Sequence, residues 1–162
     1  MTNFYTTVPS PIGDIVLTSN GEALTGVYPP ENSHYAEAQK GAHDAKPFKE
    51  AIKQLNEYFA GERIEFDLPL APEGTEFQKK VWNALCKIGY GQTTSYGQLA
   101  KSLGDANASR AVGTANGRNP FCIVVPCHRV IGASGDLAGY NGDLKAKQWL
   151  IDHERAHIKL AA

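Results

Sequence analysis

No stretch of the chain approaches the roughly 18 consecutive apolar residues of a membrane-spanning helix, so no membrane partner is expected. Cysteine is scarce: Cys86, Cys122 and Cys127 are the whole set. No two of them form a Cys-x-x-Cys pair, and no second Cys or His pair stands at zinc spacing, so neither a metal nor a dithiol redox centre is expected. The first residues, Met1-Thr2-Asn3-Phe4, lack the basic patch and apolar core of a secretory signal. Together with an odd cysteine count, this predicts reduced thiols and a cytoplasmic location. Charge of one sign is missing overall, the formal balance being -1 over 162 residues. What is present, 42% hydrophobic and 20% charged residues, excludes a disordered or fibrous chain and allows one ordinary domain or two small ones.

The charge is unevenly divided. Residues 1–74 hold 5 Lys/Arg against 11 Asp/Glu, whereas residues 75–162 hold 11 against 6. A basic second part is what a polyanion would face, although scattered surface charge gives the same counts. The composition also changes near Ala71-Pro72-Glu73-Gly74, where the domain boundary is placed, giving domains 1–74 and 75–162.

The first domain reads as a meander. Phe4 to Val8 leads into Pro9-Ser10-Pro11-Ile12-Gly13-Asp14, and Ile15 to Thr18 meets Asn20-Gly21, a hairpin signal, before Leu24 to Tyr28. Pro29 to Lys46 is polar and reads as a loop with a short helix. Phe48, Ala51, Ile52, Leu55 and Phe59 keep helical spacing up to a stop at Gly61. Ile64 to Leu70 reads as a strand or an extended linker.

The second domain reads as mostly helical. Thr75-Glu76-Phe77-Gln78 has capping-box form, with Phe77, Val81, Leu85 and Ile88 on one face and Cys86 as a buried apolar residue. Ser95-Tyr96-Gly97-Gln98 repeats the form. Gly104-Asp105 then turns the chain into a helix that Asn107 can cap, and the pair has a helix-turn-helix outline. The second helix is built of small residues, Ala108, Ala111, Gly113 and Ala115, around one long cation, Arg110. Glycine weakens a helix, so its presence implies close backbone approach, either to a neighbouring helix or to an external surface.

Ile123-Val124-Val125-Pro126-Cys127-His128-Arg129-Val130 carries the chemistry. The β-branched run reads as a buried strand ended by proline, with a cysteine at its exit. Nearby positive charge favours the thiolate, which is the nucleophile. A nucleophile needs a base and the base an orienting group. His128 is the nearby base, and a carboxylate such as Glu154, on the helix after Gly142-Asp143, would have to pack over it.

Pro126-Cys127-His128-Arg129-Val130 resembles the active-site signature of the O6-alkylguanine-DNA alkyltransferases. The likeness extends through Ser95-Tyr96, Ser109 to Gly113, Asn119-Pro120, Gly139-Tyr140, Trp149-Leu150 and His153-Glu154. It covers nearly all of residues 75–162, and the meander is similar to the family's small N-terminal domain. The implied fold is an N-terminal α/β domain with a small antiparallel sheet, ribonuclease H-like, plus a mostly α C-terminal domain with a helix-turn-helix.

The resemblance also implies an activity. The lesion would be O6-alkylguanine in double-stranded DNA, with O4-alkylthymine an open second substrate. The alkyl group would pass irreversibly to Cys127, once per molecule, with no cofactor and by a monomer. Arg110 would enter from the minor groove to replace the flipped base, beside DNA contacts from Ser95, Tyr96, Ala111 and Gly113. Tyr96 would help rotate the 3′ phosphate and protonate guanine N3. The carbonyls of Cys127 and Val130 would accept from the guanine amine, Asn141 N–H would reach O6, and Tyr140 would complete the pocket. Asn119 would brace the turn. Glu154 would hold His128, which acts on Cys127 through a water.

Three features depart from some relatives. Asn116-Gly117-Arg118 places its cation one residue later than in some members, which bears on phosphate contacts there. Residues 1–74 contain no cysteine, so the N-terminal zinc site of some members is not expected. Cys122 stands where some carry proline, which bears on bulky free-base inhibitors. Other function classes fit less well. A lesion-binding relative would lack Cys127, a cysteine hydrolase would need an oxyanion motif, and a transcription regulator would need a sensor or dimerisation segment.

Overall fold

The computed structural model describes residues 3–161. Alternation and β-branched residues make β1 (Phe4–Val8), β2 (Ile15–Ser19) and β3 (Leu24–Tyr28), which pair antiparallel in sequence. The first turn closes through Gly13 N–H to Ser10 O at 3.1 Å, with Gly13 at φ +102°. In the second, the Asn20 side chain accepts from the N–H groups of Glu22 and Ala23, both at 2.9 Å. Residues 29–41 then cross to the far side of the sheet, through a short 3-10 turn at Glu37–Lys40. β4 (Ala42–His43) consequently runs parallel to β1, giving the order β3-β2-β1-β4. The sheet is therefore mixed rather than purely antiparallel, because a crossover of this length permits a parallel pair where a tight hairpin would not.

The helix α1 (Lys49–Phe59) lays Phe48, Ala51, Leu55 and Tyr58 onto Ile15, Leu17 and Val27 in one core. Each fully buried side chain of this size contributes about 1.5–3 kcal/mol. Gly61, at φ +76°, ends the helix as its N–H bonds Tyr58 O. Residues 64–70 are extended and join the sheet only by a bridge between Leu70 and Leu24.

The edge of β3 has two occupants. One half bonds the extended segment, through Leu24 N–H to Pro69 O at 2.9 Å and Ala71 N–H to Leu24 O at 2.8 Å. The other half bonds residues 120–122, through Val27 N–H to Pro120 O at 2.8 Å and Cys122 N–H to Val27 O at 3.2 Å. The segment that leads to Cys127 is thus docked on the N-terminal sheet, which covers an otherwise open edge.

Both capping boxes form, at Thr75/Gln78 on α2 (Glu76–Leu85) and at Ser95/Gln98 on α3 (Tyr96–Ser102). α4 (Ser109–Gly117) packs on both helices. Asn107 does not cap it. Asp105 organises that turn instead, accepting from Asn107 N–H on its side chain and from Ala108 N–H on its carbonyl. Val81 and Leu85 are buried, but Phe77 in the first turn of α2 is 40% exposed. Cys86 sits at the C-cap of α2 and is exposed, not buried. A two-residue parallel ladder joins β5 (Thr94–Ser95) to β6 (Val130–Ile131), and α5 (Leu144–Ala156) closes the molecule. Among the described residues, no helix is long and apolar enough to cross a membrane.

Candidate active site

The run before Cys127 is not a strand. Val124 N–H bonds Cys122 O at 2.9 Å and Val125 N–H bonds Phe121 O at 2.8 Å, so the chain folds back on itself. Ile123 is forced to φ +74°, a strained state for a β-branched residue that costs about 1–3 kcal/mol. Asn119 supplies the brace. Its amide donates to Val125 O at 2.8 Å and its carbonyl accepts Phe121 N–H at 2.9 Å. Side-chain propensity favoured a strand, and these bonds override it.

Cys127 opens a 3-10 turn, Cys127–Arg129, that ends as Val130 N–H bonds Cys127 O. Its side chain is 3% exposed. The neighbouring Cys122 thiol, more than any other group, holds the Cys127 thiol below its ordinary pKa against the opposing effect of burial. The Asn119 amide and the Lys147 ammonium act in the same direction. The charge of Arg129, expected to act here, is directed elsewhere: its Nε and a terminal nitrogen bond the two oxygens of Glu154 at 2.8 and 3.0 Å.

Glu154 is the hub. His128 Nε2 lies 2.6 Å from its Oε2, Tyr58 Oη donates to the same oxygen at 2.7 Å, and Gly91 N–H reaches Oε1 at 3.4 Å. Burial opposes ionisation of this carboxyl, but His128 and then Arg129 outweigh it and hold its pKa far below the usual carboxylate range. Burial lowers the pKa of His128 despite Glu154, so the ring is neutral at physiological pH. The other ring nitrogen, Nδ1, is buried with no partner among the described residues. A neutral imidazole oriented by a carboxylate, with its far nitrogen free, is equipped to take a proton.

Beside the turn lies an open groove of about 560 Å³ lined by Arg110, Gly113, Thr114, Arg118, Gly139, Tyr140 and Asn141, among others. Arg110 and Ala111 are exposed on α4, and Gly113 is half-buried. A Cβ built at Gly113 would meet the Tyr96 ring at 3.7 Å, an ordinary contact. Packing within the protein therefore does not demand glycine there. Ser95 caps α3 and sets Tyr96, whose hydroxyl donates to Ala138 O at 2.6 Å. Burial, and then Cys127, push the Tyr96 pKa up to about 12, so the phenol keeps its proton. A Cβ at Gly139 would overlap the Tyr96 hydroxyl, and Gly139 has φ +87°. Tyr140 is buried, its hydroxyl without a partner among the described residues and its ring 5.7 Å from Lys147 Nζ. Val130 is buried at the start of β6. Among the described residues, no group of three or more His, Cys, Asp or Glu is placed to hold a metal ion.

Two stretches match family models: residues 76–156 the DNA binding domain, and residues 3–72 the ribonuclease-like domain, of 6-O-methylguanine DNA methyltransferase. The chain belongs to that family. A methylated-DNA–protein-cysteine methyltransferase of Methanosarcina acetivorans is 50% identical over 152 residues, covering 93% of this chain and 97% of the relative. One from Mycobacterium tuberculosis is 47% identical over 152 residues, 94% and 92% of the two chains. The crystal structure of a Mycobacterium tuberculosis O6-methylguanine methyltransferase superposes with a TM-score of 0.89 at 44% identity, over 99% of this chain and 100% of that one. A structure of the Mycobacterium tuberculosis protein in complex with DNA gives 0.88 at 45% identity, over 98% and 99%.

Three residues of this site escaped sequence reasoning, and Cys122 has a place in it beyond its expected bearing on free-base inhibitors. Tyr58 meets Glu154 across 96 residues, and no local pattern marks it. Lys147 is fully buried and donates to Leu137 O at 3.1 Å, and burial lowers its pKa to about 8. Cys122 is buried beside Cys127. Asn116 is buried and its amide points to Cys127 O and Gly139 O, both at 3.4 Å. Its signal was available: Val112, Ala115 and Asn116 share the inner face of α4, and a polar residue on such a face needs partners.

Proposed function

We propose that the protein repairs O6-alkylguanine in double-stranded DNA by taking the alkyl group onto Cys127, irreversibly and once per molecule. The single observation that carries this reading is the buried Cys127 turn beside a neutral His128 that bonds Glu154 at 2.6 Å. In the proposed step His128 Nδ1 accepts, through a water, the Cys127 thiol proton. The thiolate attacks the alkyl carbon, the carbon–O6 bond breaks, and a thioether forms. Tyr96 donates its phenolic proton to guanine N3, so the base leaves without a net negative charge. A thioether has no easy return path, and the DNA itself brings the alkyl group, so no cofactor enters.

The remaining roles are those the family resemblance implies. The small-residue face of α4, with Ala111 and Gly113, approaches the minor groove. Arg110 occupies the stack while the lesion is extruded, because O6 cannot reach a buried thiol from within the helix. Ser95 and Tyr96 meet the backbone phosphate. The carbonyls of Cys127 and Val130 accept from the guanine amine, Tyr140 walls the pocket, and Asn141 N–H, for which no protein acceptor is found among the described residues, reaches O6. Asn119 keeps the turn in shape. The protein acts as a monomer, with residues 1–74 as the supporting domain and residues 75–162 as the repairing one. The test compares transfer from O6-methylguanine duplex in the intact protein and in Cys127→Ala. Methyl transfer that survives in the variant would refute the assignment.

A further inference from the structure

We propose that Asn32, from the N-terminal domain, is a positioning residue for alkyl transfer: with Ser33 it clamps the Asn141 wall of the base pocket. The inference rests on the assignment of Asn141 N–H to the base.

Three hydrogen bonds make the clamp. Asn32 Nδ2 donates to Asn141 O at 3.0 Å, Ser33 N–H donates to Asn141 Oδ1 at 3.0 Å, and Asn141 Nδ2 donates to Ser33 Oγ at 2.8 Å. Asn32 is buried, and its own carbonyl is fixed by His34 N–H at 2.9 Å. The same amide also points to Cys122 Sγ at 3.8 Å. One backbone group and the whole side chain of Asn141 are thereby held from a domain that carries none of the reacting groups.

The segment before Asn141 needs such support. Residues 133–136, 138 and 139 are exposed, and the ties nearest the pocket are a long bond from Asn116 Nδ2 to Gly139 O at 3.4 Å, Tyr96 Oη to Ala138 O and Lys147 Nζ to Leu137 O. When Tyr96 turns its proton toward guanine N3, it gives up Ala138 O. At that moment Asn32 and Ser33 keep Asn141 N–H at a fixed place on the O6 side. Positioning of this kind acts on the chemical step, because small displacements of an aligned group are expensive in rate.

Asn32→Asp is the direct test. It keeps the shape and the acceptor for His34 N–H but sets a carboxylate oxygen against Asn141 O. Single-turnover transfer is expected to slow about tenfold or more, from duplex and from a free O6-benzylguanine base alike. Affinity for undamaged duplex and the rate at which iodoacetamide alkylates Cys127 should stay within about twofold, by the same reasoning. The deficit relative to the unsubstituted protein should shrink as pH falls, since a protonated carboxyl donates to Asn141 O again. Ser33→Ala, at an exposed position, should slow transfer by about threefold and serves alone if Asn32→Asp does not fold. Transfer at the unsubstituted rate in a folded Asn32→Asp, or in Ser33→Ala where only that variant folds, would overturn the clamp. So would a parallel fall in iodoacetamide reactivity, which would place the effect at Cys127 itself. Failure of the unsubstituted protein to transfer would instead overturn the reading of the site.

Discussion

Glu154 takes hydrogen bonds from Tyr58, His128, Arg129 and Gly91, so it ties the fold together as well as orienting the proposed base. Glu154→Gln removes the countercharge of a buried guanidinium, and such a loss costs about 3–5 kcal/mol. Denaturant unfolding should show that drop; an unchanged midpoint would mean that Arg129 finds water. The variant should retain slow transfer that rises with pH, since hydroxide can ionise the thiol without an oriented imidazole. His128 sets the acid limb in the unsubstituted protein. Because burial lowers its pKa below 6.5, transfer should hold steady as pH falls through 6.5 and decline only beneath it. A decline centred at or above 6.5 in a single-turnover pH profile would show a protonated ring in that range. Arg110 tests the other half of the site. Arg110→Ala should slow repair of duplex far more than transfer from free base, which incurs no unstacking cost of a few kcal/mol; equal losses would remove it from flipping.

Among the elements, α4 couples protein stability to DNA binding most clearly. Gly113 has room for a methyl inside the protein, and alanine is the better helix former by about 1 kcal/mol. Gly113→Ala should therefore raise the melting temperature while weakening duplex binding, with transfer from free base unchanged. Weaker stability, or unaltered affinity, would return the glycine to an internal packing role. The elements differ in how legible they were. Both capping boxes, the Asn20 hairpin and the α1 face could be read because their signals lie within a few residues. The Ile123–Val125 turn and the parallel β4 could not, because the bonds that decide them come from Asn119, Phe121 and a crossover to β1. The proposed catalytic residues Cys127 and His128 were legible as a contiguous motif. Tyr58, Lys147 and Asn32 were not, since each acts across an interval that no local pattern spans, whereas Asn116 was marked only by its place on the inner face of α4.

For the molecule as a whole, the N-terminal domain supports the site: the β3 edge holds residues 120–122 and Tyr58 of α1 meets Glu154. Acid should loosen this union in two stages. His128 has a lower pKa folded than unfolded, so the unfolded chain gains protons first and stability falls from about pH 6.5 downward. Glu154 also has a depressed folded pKa. Its contribution is present above about pH 4.3 and is lost as pH falls toward the folded value. Alkylation should also act on the whole fold, since a thioether crowds a tightly bonded turn; the product should be less stable by roughly 1–3 kcal/mol. The most direct test of Cys127 as a single-use acceptor is the mass of the intact protein, and of its Cys127 peptide, after exposure to excess O6-methylguanine duplex. Expected is one methyl group per molecule, carried on Cys127, after which transfer stops. Sustained turnover over many equivalents, or a methyl group found elsewhere, would contradict it.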